Sequence, residues 1–500
     1  MQKMTCGPAW PPAGAKGKQK RGSCKMKQNA AARLLQYTGV PPLGTSFIAV
    51  LSLAWPAIVE QIMITMVQYV DTAMVGSLGS GATAAVGLTA STTWMFNGFL
   101  NAAAVGFSVQ VAQHIGAGRE REARSVTWQA LKFVVLFGVL LAVLAAALSF
   151  PLPALLGAEE AIRADATVYF CIICIALPFN FCSVMLSSIL RCAGDMRTPM
   201  VLNLLINVFN IILNFLLIYP TRPAAVFGVA VTLPGAGLGV AGAALGSAFS
   251  MMIVSLLYLL VIFRGRRGPL HISLKERFRF ERACLRTALR LGLPVALERT
   301  LMSTANIVIT GVISSIGTAA VAANHLAVTA ESVSYMPAFG VASAGTTLVG
   351  QALGAKRKDL ALRFSRITTY IGIMIMTLAG AGLFFLAPQL ISIFSTDPEV
   401  MALGAQVLRI VAFAEPLFAA SIVVTGVLRG AGDAKAPFII SLITMWGVRI
   451  TLSLLLAPQL GLIGVWIAMA VELIVRGMIF MFRLYSNRWL NIQLFSEKKV

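Results

Sequence analysis

Long apolar runs recur along nearly the whole chain of 500 residues, separated by short polar stretches. A helix needs about 20 apolar residues to cross the hydrocarbon core of a bilayer, because each residue adds about 1.5 Å. The runs predict an all-α polytopic membrane protein with twelve transmembrane helices. They lie at 46–75, 82–108, 126–150, 167–190, 197–219, 238–263, 286–313, 319–349, 364–388, 400–428, 436–457 and 462–485.

The second half of the chain repeats the first at a constant offset. LRCAGDMRTP at 190–199 returns as LRGAGDAKAP at 428–437, and 428 − 190 = 238. LAWPAIVE at 53–60 returns as LGLPVALE at 291–298 with the same offset. Six spans per repeat is an even number, so we expect two six-helix bundles with one orientation, related by an internal parallel repeat about an axis along the membrane normal. The register breaks near 221–236, where the first half carries an extra outside loop.

The repeat and the polar stretches divide the chain into five predicted segments. The first is basic and rich in Gly and Pro, which is typical of a disordered tail, and Met1 and Met26 are both candidate start residues. The predicted segments are a cytoplasmic tail at 1–42, an N-terminal bundle at 43–263, a cytoplasmic linker at 264–285, a C-terminal bundle at 286–485 and a cytoplasmic tail at 486–500.

The charge distribution orients the bundles. The net charge is +21, whereas 58% of the residues are hydrophobic and the mean hydropathy is +0.83. The basic residues are concentrated in the tails, the linker and the short loops of one side, which is the positive-inside pattern. We therefore expect an integral protein of the plasma (bacterial inner) membrane with both termini in the cytoplasm, and no nucleic-acid partner. The chain has no GxxxxGK[ST] phosphate-binding motif, so ATP is excluded as the energy source, and we expect no enzyme activity.

Three features together resemble the multidrug and toxic compound extrusion (MATE) family. They are QYVDTAMVGSLGSGATAAVG at 68–87, the paired GAG and GAK turns, and the two LR-x-AGD-x-[RK]-x-P loops. The resemblance spans about residues 43–485. It implies a secondary active antiporter that exports cationic or amphipathic organic compounds in exchange for protons or sodium ions by alternating access.

Carboxylates inside predicted spans are the candidate coupling groups, because an uncompensated buried charge costs several kcal/mol. The first bundle has Glu60 and Asp71 and is expected to have no intramembrane cation, with its basic residues assigned to the cytoplasmic side, whereas the second bundle balances four acids against four arginines. We therefore predict cation coupling at Asp71, Glu60 and Glu298. Glu60 and Glu298 occupy equivalent places, so a shared structural hydrogen bond is the alternative for both. For Asp71 the alternative is a helix-end group near the outer surface, since about one turn separates it from Gly76. A proton or a sodium ion is the expected coupling ion, with no other cofactor; a sodium ion at Asp71 is the one metal considered.

Polar, aromatic and methionine side chains in the spans are candidates for the substrate cleft, because methionine and aromatic surfaces adapt to varied flat cations. Packing between helices is the alternative for the asparagines, and lipid contact for the aromatic residues. Prolines at matching places in the first and seventh spans are candidate hinges, because each removes a backbone hydrogen bond. The cleft candidates are Asn180, Asn207, Trp94, Met95, Tyr335 and Glu331, and the hinge candidates are Pro56 and Pro294.

The sequence favours an antiporter whose substrates are small organic cations and which works as a monomer in the bilayer. Two other functions are the alternatives. A flippase for lipid-linked saccharides, which related two-bundle folds include, needs several cations in the cleft to bind a pyrophosphate. The flippase hypothesis depends on three arginines in the predicted spans, and on whether they face the cleft or pair with acids. They are Arg299, Arg409 and Arg449. A receptor or scaffold that transports nothing is the third reading, and the doubled bundle with its intramembrane acids argues against it.

Overall fold

The chain forms two helical lobes that follow the repeat. The computed structural model describes residues 34, 37, 39, 41–155, 159–226, 229–264, 270–272, 281–395, 397–492 and 494. The predicted disordered tail at 1–42 lies almost wholly outside these residues, as does most of the linker at 264–285.

The N-terminal lobe holds the first six long helices and a hairpin. The helix at 160–192 packs on its neighbours at 80–116, 120–148 and 239–264. Its elements are α1 (Leu43–Gly76), α2 (Ser80–Gly116), α3 (Glu120–Leu148), α4 (Leu152–Leu155), α5 (Glu160–Cys192), α6 (Arg197–Ile218), β1 (Pro220–Val226), β2 (Val229–Ala236) and α7 (Gly239–Arg264).

The C-terminal lobe repeats this order with two interruptions. Its tenth span is bent by 60° between α12 and α13, and its eleventh contains a π-helical stretch at Ile443–Ile450. Its elements are α8 (Arg282–Ser314), α9 (Thr318–Gly354), α10 (Lys358–Phe385), α11 (Ala387–Ser392), α12 (Pro398–Ala412), α13 (Glu415–Ala431), α14 (Lys435–Leu442), the π-helical stretch, α15 (Thr451–Tyr485) and a 3₁₀ turn (Arg488–Asn491).

Apolarity alone identifies fewer spans than the fold contains. Eight helices of the described chain are long and apolar enough to cross a membrane, and nine are if the bent pair α12 and α13 is one span. One of the eight, at 435–485, is two antiparallel spans joined at Gly461, where φ is 58° and ψ is −137°. Helices α8 and α9 are the other two long helices, and α8 falls short in apolarity because it carries several charged residues. These helices account for the twelve predicted spans.

The extra loop of the first half is a β-hairpin. Strands β1 and β2 pair antiparallel, with Pro220 opposite Ala236 and Val226 opposite Val229. The sequence predicted the insertion but not its strands. The hairpin follows α6, so it lies at the end of the lobe opposite the two AGD turns. We call these the hairpin end and the AGD end.

Both AGD turns have the same local structure. Gly194 and Gly432 adopt φ of 94° and 92°, in the left-handed region that favours glycine at a helix C-terminus. The carboxylates then cap the next helix: Asp195 accepts from the Thr198 backbone N–H at 3.1 Å, and Asp433 accepts from that of Ala436 at 3.1 Å. Each turn therefore ends one span and starts the next, which explains why the same sequence motif occurs in both halves of the chain.

The two lobes are closed against each other at the AGD end. Helix α1 packs along α9, and α2 packs on α8 and α9. Gln113 of α2 donates to the Gly430 carbonyl of the opposite lobe at 3.3 Å, and Gln351 of α9 donates to the Cys192 carbonyl at 2.9 Å. Since 351 − 113 = 238 and 430 − 192 = 238, these two cross-lobe bonds are repeat equivalents.

The segment after the last span packs back on the protein. Trp489 of the 3₁₀ turn is fully buried, and its indole N–H donates to the Leu484 carbonyl at 2.9 Å. The side chain lies in a core cluster with Leu34, Phe364 and Leu428. Residues 486–492 were predicted as part of a cytoplasmic tail, and in the structure they cover the AGD end of the C-terminal lobe.

The crossing of α2 and α9 depends on two glycines. A Cβ atom on Gly354 would lie 2.1 Å from the Gln113 carbonyl oxygen, and one on Gly116 would lie 2.0 Å from that of Gln351. We expect Gly354→Ala to cost about 1–3 kcal/mol, because a backbone atom cannot move aside as a flexible side chain does. Thermal unfolding of the purified variant in detergent should show a midpoint lowered by a few degrees. Gly311→Ala, where nothing lies within 4 Å, is the control, and equal midpoints for the two variants would contradict the crossing.

The orientation predicted from charge can be tested at equivalent exposed positions. Arg197 and Lys435 are exposed at the AGD end, and Ser315 is exposed at the hairpin end. In a cysteine-free background, cysteines at 197 and 435 should resist a membrane-impermeant maleimide added to intact cells, whereas a cysteine at 315 should react. All three should react after lysis. Reaction of 197 or 435 in intact cells would place the AGD end outside.

Candidate functional site

Glu60 is neutralised by an arginine of its own lobe. Arg191 Nη1 donates to Glu60 Oε1 at 2.5 Å, Asn203 Nδ2 donates to the same oxygen at 2.7 Å, and Ser187 Oγ donates to it at 3.2 Å. Glu60 is fully buried. The contact joins α1, α5 and α6 in the interior of the N-terminal lobe.

Glu298 repeats this arrangement in the other lobe. Arg429 Nη2 donates to Glu298 Oε2 at 2.8 Å, and Ser441 Oγ donates to Oε1 at 3.2 Å. The offset of 238 relates Glu298 to Glu60, Arg429 to Arg191 and Ser441 to Asn203. We call the two sets of residues the Glu–Arg clamps. Each holds together the first, fourth and fifth spans of its lobe.

The clamps correct one premise of the sequence analysis. The N-terminal lobe was predicted to have no intramembrane cation, but Arg191 extends from the last turn of α5 to Glu60. It was assigned to the cytoplasmic turn with the rest of the LR-x-AGD phrase. The signal was present in the sequence, because both arginines follow their acids by the same interval: 191 − 60 = 131 and 429 − 298 = 131.

Asp71 has a different environment, with neutral partners. Asn214 Nδ2 of α6 donates to Asp71 Oδ1 at 2.7 Å and to Asn210 Oδ1 at 3.2 Å. Asn210 Nδ2 continues the chain to Ser247 Oγ of α7 at 3.1 Å. Asp71 is half-buried near the hairpin end, and no lysine or arginine pairs with it among the described residues. Its carboxylate is therefore held by amides and lacks a counter-charge.

A second feature of this site is an unused acceptor. Asn214 Oδ1 is buried, and no described donor bonds to it. The atom packs directly over Gly246, where a Cβ would lie 2.1 Å from it. A carboxylate and amide oxygens are the ligands that hard cations prefer, so the residues present suit a sodium ion as well as a proton. Across the described chain, no cluster of three or more His, Cys, Asp or Glu residues suits another metal.

Other asparagines of the fourth and fifth spans form hydrogen bonds away from Asp71. Asn180 Nδ2 donates to Asn97 Oδ1 at 2.9 Å, between α5 and α2. Asn207 Nδ2 donates to the Met63 carbonyl at 2.9 Å, between α6 and α1. Both bonds cross between helices within the N-terminal lobe, as packing polar residues do.

The C-terminal lobe encloses a buried cluster of charges. Glu331 is 2% exposed and Glu415 is fully buried. Arg476 Nε lies 3.2 Å from Glu472 Oε1, which confirms the predicted pair four residues apart, and Arg449 Nη2 contacts Met469 Sδ at 3.0 Å. Glu331, predicted to line the cleft, lies inside the lobe.

The aromatic cleft candidates separate into two groups. Tyr335 is half-buried and packs edge-on against Phe339 and Phe418 within the C-terminal lobe. Trp94 and Met95 of α2 are exposed, at 64% and 40%. Pro56 and Pro294, the hinge candidates, lie inside α1 and α8 at equivalent places.

The three arginines that kept the flippase reading open have different environments. Arg409 Nε donates to the Phe384 carbonyl at 3.4 Å, and Arg449 lies with Met469 beside the buried acids. Of the three, only Arg299 donates a hydrogen bond to no acceptor among the described residues. The several cleft cations that a pyrophosphate needs are not assembled, and the flippase alternative is not favoured.

Comparisons with known proteins agree with the fold and the repeat. The MatE family model matches twice, at residues 56–216 and 294–455. The chain is 29% identical over 453 residues to a probable multidrug resistance protein NorM of Thermotoga maritima, covering 90% of this chain and 94% of the relative. It is 31% identical over 434 residues to the protein of the same description from Pseudomonas aeruginosa, covering 84% and 86%.

A solved structure has the same architecture. The outward-facing conformation of a multidrug resistance MATE family transporter of the MOP superfamily superposes with a TM-score of 0.82 at 22% identity, covering 94% of this chain and 100% of the other. The two matches of the family model fall one on each lobe and lie 294 − 56 = 238 residues apart. The chain therefore belongs to the MatE family of multidrug efflux transporters, which are membrane transporters and not enzymes.

Proposed function

We propose that this chain is a secondary antiporter that exports cationic or amphipathic organic compounds, and that Asp71 couples export to the entry of protons or sodium ions. The observation that carries the proposal is the contrast among the three candidate carboxylates. Glu60 and Glu298 already hold an arginine each, whereas Asp71 is half-buried with amide partners only.

A carboxylate without a counter-charge in a membrane protein has to bind a proton, a metal ion or a cationic ligand. At Asp71 these three compete for one group. Binding of the coupling ion then excludes the substrate cation and the reverse, which is the negative coupling that an antiporter requires. The free oxygen of Asn214 supports the same role, since it offers an acceptor to a protonated Asp71 or a ligand to a sodium ion.

The Glu–Arg clamps take the structural role that was the alternative for Glu60 and Glu298. Each clamp joins three helices of one lobe, so we propose that each lobe moves as a unit during alternating access. Pro56 and Pro294 precede the clamp acids by four residues in the same helices. A hinge at either proline would bend its helix next to the Glu–Arg clamp of that lobe. We propose both prolines as hinges. The protein is proposed to act as a monomer.

Asp71→Asn tests the coupling role, because it keeps the shape and removes the charge. We expect normal amounts of folded protein and at least a tenfold loss of gradient-driven ethidium efflux from proteoliposomes. Sodium and pH gradients are imposed separately, so the wild type also identifies the coupling ion. Asp71→Glu should keep part of the activity, and Asp165→Asn, at an exposed acid of the hairpin end, is the control. Normal efflux by the Asn variant under the same gradient would refute coupling at Asp71.

Arg429→Met tests the clamp, because it leaves the Glu298 carboxylate without its counter-charge. Removing one partner of a buried ion pair costs about 3–5 kcal/mol, whereas replacing both partners costs much less. We therefore expect the single variant to lose most of its folded yield in size-exclusion chromatography. The double variant Glu298→Gln with Arg429→Met should recover it. A double variant as unstable as the single one would show that the ion pair is not what Arg429 contributes.

A further inference from the structure

A groove lies on the outer surface of the N-terminal lobe, between α3 and α7, the two helices that flank α5. Its volume is about 440 Å³. The residues of its α3 wall follow one another at intervals of three, one, three and one, so they form one helical face. The lining residues are Trp128, Leu131, Lys132, Val135 and Leu136 of α3 with Leu259 and Phe263 of α7.

The groove is open toward the lipid. Val135 and Leu136 are 65% and 76% exposed, and apolar side chains exposed on the face of a transmembrane helix contact the hydrocarbon of the bilayer. Leu131 and Leu259 continue the apolar surface on the two walls. A flexible acyl chain suits such a surface, because its burial gains hydrophobic contact along its whole length.

Two aromatic rings close the groove at the AGD end. The Trp128 and Phe263 rings meet edge to face, with centroids 6.0 Å apart. Phe263 is one residue before the end of α7, which runs from the hairpin end to the AGD end. Tryptophan in such a place marks the level of the lipid headgroups. The groove therefore extends from the headgroup level of one leaflet into the hydrocarbon.

Basic side chains lie near that headgroup level. Lys132 is one turn beyond Trp128, and a helical side chain points back toward the N-terminus of its helix, which for α3 is the AGD end. The Lys132 ammonium group is therefore directed to the headgroups rather than to the hydrocarbon. Arg121 lies two turns before Trp128 on the same face, and Arg264 ends α7. All three basic side chains are exposed.

The equivalent pair of helices in the C-terminal lobe is joined by side-chain contacts instead. Tyr370 of α10 is the repeat equivalent of Lys132, since 370 − 132 = 238, and its hydroxyl shares a hydrogen bond of 2.6 Å with that of Tyr485 of α15. Arg366, the equivalent of Trp128, lies over the Tyr485 ring at 5.6 Å from its centroid. The lysine at the mouth of the groove is thus a feature of one lobe and not a requirement of the repeat.

We propose that this groove binds one anionic phospholipid of the leaflet at the AGD end, with the phosphate at Lys132 and one acyl chain against the apolar walls. Ammonium and guanidinium groups donate charge-assisted hydrogen bonds to phosphate oxygens, and basic pockets between transmembrane helices suit anionic headgroups. The volume falls within the range of about 300–1,000 Å³ that ligand sites have. The bound lipid bridges α3 and α7. The site lies on the outside of one lobe and does not depend on the proposed export function.

Two lipids with the same acyl chains test the proposal. Native mass spectrometry of the full chain purified in detergent gives the Kd of the first bound lipid, for palmitoyl-oleoyl phosphatidylglycerol and for the phosphatidylcholine with the same chains. Lys132→Gln removes the charge, and Val135→Trp fills the groove while keeping it. Both side chains are exposed, so both variants should fold. Lys435→Gln, an exposed lysine of the AGD end in the other lobe, and Val143→Trp, two turns further along α3, are the matched controls.

The wild type should bind phosphatidylglycerol at least about fivefold more tightly than phosphatidylcholine, and Lys132→Gln should remove about fivefold of that preference. Val135→Trp should weaken the binding of both lipids, and the two controls should match the wild type. Equal Kd values of the two lipids for the wild type would overturn the proposal. So would a loss of preference in Lys435→Gln as large as in Lys132→Gln, which would indicate diffuse attraction to a basic surface. Unchanged binding by Val135→Trp would refute the groove as the place of the acyl chain.

Discussion

The need to pair a charge inside the membrane determines how each lobe is built. A carboxylate as buried as Glu60 is stable only with a nearby cation and donors for its oxygens. Arg191 supplies the cation from the last turn of α5, and Asn203 supplies a further donor from α6. Three helices are thereby fixed to one another at one point. The same arrangement around Glu298 fixes the equivalent helices of the other lobe.

The clamps are also linked to the contact between the lobes. The carbonyl that Gln351 binds belongs to Cys192, the residue after the clamp arginine Arg191. Gln113 binds the carbonyl of Gly430, the residue after Arg429. Each clamp helix is thus held by an acid of its own lobe and by an amide of the opposite lobe. Opening the AGD end requires these weaker cross-lobe bonds to break, together with others such as that from Thr347 Oγ1 to the Arg191 carbonyl at 3.1 Å, while the ion pairs inside the lobes can stay intact.

Much of this architecture follows from the sequence. The features that the sequence does not predict include contacts made by long side chains. Apolar runs and an exact offset of 238 residues predict the helices, their pairing into lobes and the equivalence of Glu60 with Glu298. Span boundaries alone put Arg191 in a loop, because a long side chain can enter the membrane from a residue at its edge. Burial inside a lobe is a second feature that span boundaries do not predict: Glu331, a candidate for the cleft, is 2% exposed beside other buried charges. The hairpin at 220–236 has no counterpart in the second half, so the repeat could not predict its strands.

Several charged residues of the spans have an uncharged repeat equivalent in the other lobe, and they include the proposed coupling residue. Residues that both lobes share, the clamps and the cross-lobe glutamines, hold the fold together and close it. Asp71 has Ile309 as its equivalent, a residue buried in the apolar core of the C-terminal lobe. Arg299 has Gln61, and Glu415 has Leu177, which is buried in the core of the N-terminal lobe. A symmetric pair of bundles provides two lobes that move against each other, but a coupled transporter also has to distinguish the ion from the substrate. Groups present in only one lobe provide that difference, because each places a charge on one side of the pseudo-axis and none on the other.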